Sequence, residues 1–445
     1  MSPKNKKHNH ITSFQIIILG FLSVILLGSL FLMLPFATQD GKGATFSDAL
    51  FTSTSAVCVT GLVLHDTATY WSIFGQGVIL ILIQIGGMGI VTIAVAISAL
   101  SGHKIGLMQR STMQEAVSAH HVGGIVRLTK FILKTTLIIE LTGAVLLLPS
   151  FIYDFGIARG LWYSLFHSVS AFCNAGFDLI GVKEPCSSLT TYSSNPLINI
   201  VIMALIIIGG IGFLTWDDIK TNKIHFRKYR MQSKVIFIVT GLLIVIPAVY
   251  FFFFEYQMLG FKERVLCSIF QTVTTRTAGF NTTDLSAFTE TGKMLVIMLM
   301  LIGGAPGSTA GGMKTTTIAV LVSTAFSVFR KKNNTHLFKR RVLDDIVKSA
   351  ATIFLMYVFM FVFGAMIISR IENIPILTTM FETASAIGTV GLSLGITSQL
   401  GIVSQIILIV LMFFGRVGGL TLIFATVSGV DVNGSMYPQE KITVG

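Results

Sequence analysis

Eight long apolar runs constrain this chain more than any other feature. They lie near residues 13–35, 72–100, 131–153, 195–214, 234–255, 293–327, 347–369 and 401–428. Each is near or above the roughly 20 residues a helix needs to cross the hydrocarbon core of a bilayer. Backbone groups placed in lipid must be paired within their own segment, so such runs are read as helices. Of the 445 residues, 53% are hydrophobic and only 12% charged, against about 25% charged in soluble globular chains. Soluble domains, nucleic-acid binders and disordered chains are excluded on that ground. The first run, Ile16 to Phe36, ends Leu34-Pro35-Phe36. It exceeds the roughly 7–15-residue core of a secretory signal, and is read as a retained transmembrane helix.

Charge gives the orientation. Lys4, Lys6 and Lys7 precede the first run. Further basic clusters are Lys104, Arg110, Arg127, Lys130 and Lys134; Lys220, Lys223, Arg227, Lys228, Arg230 and Lys234; and Arg330, Lys331, Lys332, Lys339, Arg340, Arg341 and Lys348. The intervening loops are acidic, with Asp40, Asp48, Asp66, Asp154, Asp178, Glu184, Glu255, Asp284 and Glu290. By the positive-inside rule both termini and the three basic loops are cytoplasmic, in a multi-pass plasma-membrane protein. The net charge of +12 is thus mostly an orientation signal, and no nucleic-acid partner is expected.

Between the members of each pair of runs lies a shorter stretch, at 46–61, 161–176, 263–279 and 375–391. These are too short to span a bilayer and too apolar for ordinary loops, so they are read as re-entrant helices buried in protein. Three of them align directly. A Phe (Phe51, Phe166, Phe381) stands ten residues before a glycine (Gly61, Gly176, Gly391) that precedes Leu or Phe. The third copy, Phe270 to Gly279, is one residue shorter. The four glycines are separated by 115, 103 and 112 residues, so one unit occurs four times. The implied organisation is a cytoplasmic N-terminus (1–11), four units (12–112, 113–230, 231–340 and 341–430) and a C-terminal tail (431–445).

A glycine-ended re-entrant segment suits the dehydration of a cation. Backbone carbonyls turned toward one axis replace the ion's water, and glycine allows the required φ while leaving no side chain in the way. The negative end of the preceding short helix faces the ion. A second glycine signature follows in each unit: Gly86-Gly87-Met88-Gly89, Gly209-Gly210-Ile211-Gly212, Gly303-Gly304-Ala305-Pro306 and Gly415-Arg416-Val417-Gly418. The first two are expected to serve close helix packing within continuous spans. The third opens a stretch running to Lys314 that cannot be helical, since glycines and a proline interrupt it in mid-membrane. Non-helical backbone at that depth is tolerated where it is buried in protein or lines a watery cavity, and discontinuous helices mark ion pathways.

The fourfold unit ending in a glycine resembles the Trk/Ktr/HKT superfamily of potassium transporters over about residues 12–430, and most of all the membrane subunit of bacterial Ktr systems. The resemblance implies an all-α membrane protein of eight transmembrane helices, with four pseudo-symmetric repeats of helix, re-entrant pore helix, filter and helix around one central pore. It implies a potassium filter at Val57, Cys58, Val59, Thr60 and Gly61; Phe172, Cys173, Asn174, Ala175 and Gly176; Thr275, Arg276, Thr277, Ala278 and Gly279; and Ile387, Gly388, Thr389, Val390 and Gly391. It makes Gly303, Gly304, Ala305, Pro306, Gly307, Ser308, Thr309, Ala310, Gly311 and Gly312 a gate loop below the filter. Potassium is then the transported ion and sodium a candidate activator, with no organic cofactor in this chain. The implied assembly is a homodimer in the lipid bilayer, bound to a cytoplasmic RCK-type (KtrA-like) ring of nucleotide-binding subunits. Loops 101–130 and 217–234 are candidate docking faces.

Arg416 replaces the second glycine of its doublet. A charge at mid-membrane costs at least ~2.5 kcal/mol unless it faces protein or water. By resemblance it stands at the pore constriction as a gate residue, holding loop carbonyls; the alternative is an ion pair with Glu140. Arg276 is expected to be a structural anchor, Cys58 and Cys173 small buried side chains, His120-His121 solvated, and the run Phe251–Phe254 lipid-facing. No catalytic constellation is visible, so an enzyme is not expected. The competing readings are a sodium-permeable member of the same superfamily and an ion-coupled secondary transporter.

Overall fold

The computed structural model describes residues 12–100, 106–117, 124–419 and 421. The basic N-terminus, His120-His121 and the tail 431–445 lie outside the described residues.

Each of the four sequence units forms a long first helix, a short helix, an extended segment and an interrupted second helix. The first helices are Ser13–Leu32, Ile125–Phe155, Met231–Tyr250 and Asp344–Glu372. The third continues through a π turn, Phe251–Glu255. These four, with the π turn included, are long and apolar enough to cross a membrane. The first helix exposes Leu19, Leu26, Leu27 and Leu30 and buries Phe21, Ile25, Gly28 and Ser29. Thr12 opens this helix with a capping box to Gln15, satisfying donors that the first turn leaves free.

The short helices, Phe46–Val57, Ile157–Phe172, Phe261–Thr274 and Ile376–Gly388, form the centre of the molecule. The last seven residues of the first, Phe51 to Val57, are all buried, as are Phe166 to Phe172. Their hydroxyls therefore need partners inside protein. Ser53 Oγ donates to the Ile25 carbonyl at 2.7 Å, and Ser168 Oγ to the Glu140 carbonyl at 2.6 Å. The approach is close because a first-helix glycine faces each serine. A Cβ at Gly28 or Gly143 would stand 2.5 Å from Ser53 Oγ or Ser168 Oγ. The two units repeat one packing detail with different surrounding side chains.

The second helix is broken in the third unit, as expected, and in the other units it also departs from the expected continuous span. The second helices are Ile73–Met88 with Ile90–Leu100, Pro196–Gly210 with Phe213–Asn222, Glu290–Leu301 with Thr315–Phe329, and Ile402–Val417. The second pair is bent by 96°. The interruption falls on the last glycine of the sequence signature: Gly89 has φ +84°, Gly212 +91° and Gly418 +87°, values a helix cannot contain. In the third unit the interruption is the whole stretch from Ile302 to Lys314. One further departure lies in the third basic loop, where His336–Leu337 pairs antiparallel with Arg340–Arg341. Within the Phe251–Phe254 run, Phe253 and Phe254 are exposed but Phe251 is fully buried.

Candidate functional site

Each short helix ends on an extended segment of common backbone form. The residue two before the glycine is left-handed in every unit: Val59 (φ +58°), Asn174 (+59°), Thr277 (+68°) and Thr389 (+51°). The glycines follow at φ +90°, +71°, +78° and +92° for Gly61, Gly176, Gly279 and Gly391. Three of the four left-handed residues are β-branched, which is uncommon and costs energy. Such strain persists where surroundings over-determine it, and here they do. A hydroxyl at the same place in each short helix clamps the segment. Ser55 Oγ accepts from Gly61 N–H at 3.1 Å and Ser385 Oγ from Gly391 N–H at 3.0 Å. Ser170 Oγ and Thr274 Oγ1 donate to the carbonyls of Phe177 and Phe280, each at 2.7 Å. These four hydroxyls went unnoticed in the sequence, although they occupy one column of the repeat.

The four glycines close on one another in order. A Cβ on Gly61 would stand 2.4 Å from the Ala175 carbonyl oxygen, one on Gly176 2.7 Å from that of Ala278, one on Gly279 2.3 Å from that of Val390, and one on Gly391 2.2 Å from that of Thr60. Each unit's glycine thus abuts the backbone of the next, and the fourth returns to the first. All four glycines line one cavity of about 550 Å³, whose other walls carry Asp66, Asp178, Glu184 and Asp284. Burial pushes the Asp178 carboxyl up to about 7, with the Asp66 charge adding to the effect and hydrogen bonds from Ile180 and Ser188 opposing it.

In the first, second and fourth units the first glycine of the inner signature packs under its own short helix, whereas Gly303 faces Gly311 of its own loop. A Cβ at Gly86, Gly209 or Gly415 would lie 2.0, 2.0 or 2.1 Å from the carbonyl oxygens of Val57, Phe172 or Ile387. The last glycine breaks the helix. In the third unit the longer loop fills the space between the units. It is zipped at its base, where Gly303 N–H donates to Met313 O at 2.8 Å and Thr315 N–H to Gly304 O at 3.0 Å. It is laced to the second unit's break by Ala305 N–H to Gly210 O (2.9 Å), Thr309 N–H to Gly209 O (3.3 Å) and Phe213 N–H to Gly307 O (2.7 Å). On the fourth unit, Gly312 N–H donates to Gly415 O at 3.1 Å. At Gly311 a Cβ would meet Thr389 Oγ1 at 2.1 Å, so the loop lies directly against the fourth glycine-ended segment.

Arg416 ties three units together. Nη1 donates to the Thr309 carbonyl of the loop, and Nη2 to the carbonyls of Gly86 and, at 3.1 Å, Gly87. Its acceptors are carbonyls, not Glu140. That carboxylate instead accepts from Gln84 Nε2 at 3.1 Å, with Cys173 Sγ at 3.9 Å. A second cation missed in the sequence, Lys314, donates from Nζ to Ala310 O at 2.8 Å and Gly311 O at 3.4 Å. Arg416, Lys314 and loop residues Gly307, Ser308, Ala310 and Gly312 line a second cavity of about 380 Å³. Arg276 is buried, its Nε and Nη2 without partners among the described residues; its carbonyl, held by Asn174 Nδ2 at 3.3 Å, makes the contact. Cys58 and Cys173 are buried and unbonded to each other.

A family model described as "Cation transport protein" (TrkH) matches residues 2–431. The chain is 39% identical to the potassium/sodium uptake protein NtpJ of Enterococcus hirae, over 99% of both chains. It is 37% identical to the Ktr system potassium uptake protein B of Bacillus subtilis, over 97% of this chain and 96% of that one. Among solved structures, the potassium transporter TrkH of Vibrio parahaemolyticus matches with a TM-score of 0.74 at 21% identity, over 94% of this chain and 86% of that one.

Proposed function

Because the chain belongs to the TrkH family of cation transport proteins, a family of multi-pass membrane transporters and not of enzymes, we propose that it carries potassium into the cell through a pore enclosed by a single chain. One observation carries this reading: the ordered closure of Gly61, Gly176, Gly279 and Gly391 on one another's backbones. That arrangement leaves room for carbonyl oxygens and none for a side chain, which suits a cation stripped of water. The four units then surround one axis, with eight spans, four of them interrupted. Both termini are cytoplasmic.

The loop from Gly303 to Gly312 is the gate. It stands inward of the filter segments, its amides and carbonyls paired with the second and fourth units rather than in a helical ladder. Arg416 holds it shut and places a positive charge in the ion's path. Opening requires the loop to leave Gly209, Gly210 and Gly415. A cytoplasmic nucleotide-binding ring docked on the basic loops would supply the work, and a homodimer would match its symmetry; the word "system" in the relatives' names supports a further component and no more than that.

The Enterococcus hirae relative's name pairs potassium with sodium, and that favours a second reading in which sodium also passes. Purified protein in vesicles, assayed for potassium, rubidium and sodium flux, separates the two. Potassium and rubidium flux well above sodium supports the filter. Equal sodium flux supports the second reading. Flux that occurs only in obligatory exchange with another solute would defeat both.

A further inference from the structure

The short helices hold their segments at a second place, and only in two units. The residue after each aligned Phe is Thr52, His167, Gln271 or Glu382, and all four are buried. In the second unit His167 Nε2 accepts from Leu179 N–H at 3.2 Å, and Nδ1 lies 2.7 Å from the Tyr163 carbonyl. Those two contacts fix a neutral ring with its proton on Nδ1. In the fourth unit Glu382 Oε1 accepts from Leu394 N–H at 3.1 Å and from Ser393 Oγ at 2.5 Å. Its Oε2 accepts from Thr397 Oγ1 at 2.9 Å. Leu179 and Leu394 each stand three residues beyond the glycine of their segment. In the first unit Thr52 makes no side-chain bond to its segment among the described residues. In the third, both amide atoms of Gln271 are buried without a partner among the described residues. Gln271 stands eight residues before its glycine, against nine for His167 and Glu382, so the shortened third copy changes the register between the two.

We propose that His167 and Glu382 are specificity-determining positioning residues, which hold two opposed filter segments at a fixed separation. The proposal rests on the filter reading above and deepens it. The four glycines close in chain order, so the second and fourth units face each other across the axis. In these two units a clamp hydroxyl fixes the segment at Phe177 or Gly391, and the second hold fixes it further out. A segment held at two places cannot pivot about its glycine, whereas one held once can. A ring of carbonyls discriminates between ions only while opposed oxygens keep their spacing and their aim. Two rigid segments on one diagonal set that width. Every hydrogen-bond partner of His167 and Glu382 belongs to its own unit and none to the loop 303–312. The hold is therefore the same with the loop seated or withdrawn, and it acts while ions pass. Both side chains work through the backbone, and neither need touch the ion.

The test is the ratio of potassium to sodium flux in vesicles containing the full chain, with membrane yield recorded beside it. Two substitutions separate the hold from the charge. Glu382→Asp keeps the charge but withdraws the oxygens from Leu394, and the ratio should fall about fivefold, near the worth of one hydrogen bond. Glu382→Gln keeps an oxygen for Leu394 N–H and loses the charge, while the Thr397 hydroxyl turns to accept from the new amide. Its ratio should stay within about twofold of the native one. His167→Leu should lower the ratio about fivefold, and His167→Gln, whose oxygen reaches the place of Nε2, should restore it. A ratio lowered by Glu382→Gln but not by Glu382→Asp would make the charge the cause and overturn the proposal. Lower yield with an unchanged ratio in both Glu382→Asp and His167→Leu would overturn it as well, leaving two structural side chains. If His167→Leu does not assemble, the Glu382 pair decides by the same outcomes. Gly61→Ser is the control. If it lowers the ratio while the Glu382 and His167 variants do not, this proposal alone falls; if it too leaves the ratio unchanged, the filter reading itself has failed.

Discussion

The molecule contains two sets of four glycine sites, and they have diverged differently. The filter set keeps one backbone geometry in all four units while its side chains vary: Val59, Asn174, Thr277 and Thr389 share a left-handed φ and little else. The inner set keeps its geometry in the first, second and fourth units and abandons it in the third. Gly89, Gly212 and Gly418 each make a one-residue break, while the third unit inserts a loop held by hydrogen bonds to its neighbours. Recognition of a spherical ion by carbonyls needs four equivalent backbones. A gate needs one part able to move independently of the rest. On the proposed function, symmetry is kept where the ion would be coordinated and broken where its passage would be controlled.

The sharpest way to break this comparison is to remove the asymmetric piece. Deleting Gly307–Gly312 discards Gly312 N–H to Gly415 O, Thr309 N–H to Gly209 O and Phe213 N–H to Gly307 O. At about 1 kcal/mol for each hydrogen bond, basal flux should rise on the order of a hundredfold. Membrane yield should hold. Loss of assembly instead would make the loop structural and the two glycine sets alike in purpose.

Next comes the symmetric set. Gly61→Ser puts a Cβ 2.4 Å from the Ala175 carbonyl oxygen at φ +90°. Left-handed strain alone costs roughly 1–2 kcal/mol, so potassium preference over sodium should fall about tenfold. Sodium competition against rubidium uptake measures it, and unchanged competition would remove Gly61 from the filter.

Arg416→Ala should raise the maximal rate about tenfold, near what one charged hydrogen bond at ~1.5 kcal/mol allows, with apparent potassium affinity nearly unchanged. Arg416→Lys keeps the charge without the planar fork and should fall between. Rubidium uptake kinetics normalised to membrane yield decide it; lower yield with no gain in rate per molecule would make Arg416 a structural residue.

Much of this arrangement was legible in the sequence, because alternating long and short apolar runs report bilayer depth directly. The short helices end at Val57, Phe172, Thr274 and Gly388, each within a few residues of the glycine that marked it. The broken second helices were legible only in the third unit, where five glycines and a proline leave no doubt. In the others a glycine cluster reads the same whether it packs or breaks a helix, and here it does both: Gly86, Gly209 and Gly415 pack, while Gly89, Gly212 and Gly418 break. The clamp hydroxyls Ser55, Ser170, Thr274 and Ser385 sat in one aligned column, yet a buried serine in a helix gives no sign of its partner. Thr309 and Lys314 were invisible as contacts because their acceptors come from chain far away or from a loop whose path no periodicity predicts.

The two kinds of inner break can themselves be compared. Gly212 and Gly418 have nearly equal φ, so alanine strains both alike. At Gly212 the new Cβ also meets the Pro306 carbonyl oxygen at 2.7 Å, whereas at Gly418 its nearest atom is Thr421 Oγ1 at 3.9 Å. Gly212→Ala should therefore displace the loop and raise basal flux about fivefold, near the loss of one hydrogen bond. Gly418→Ala should lower thermal stability without leak. Equal leak from both would mean that strain in the break, not contact with the loop, controls the gate.

The smallest effect concerns the mouth outside the filter and separates affinity from rate. The Asp178 carboxyl, pushed up to about 7 by burial, shares its cavity with the four filter glycines. Below that pH it is increasingly neutral, and above it anionic, so raising pH from 6 to 8 adds a negative charge where potassium arrives. Through an aqueous mouth one unit charge is worth a few tenths of a kcal/mol, so apparent affinity should improve about twofold across that range. The maximal rate should not follow, because Arg416 and the loop set it on the other side of the filter. Asp178→Asn should hold affinity at its pH 6 value throughout. Rubidium uptake at several pH values, with the internal pH clamped, measures both quantities. A pH dependence that survives Asp178→Asn, or one that appears in the maximal rate, would place the titrating group elsewhere and end the division between an outer site that sets affinity and an inner one that sets rate.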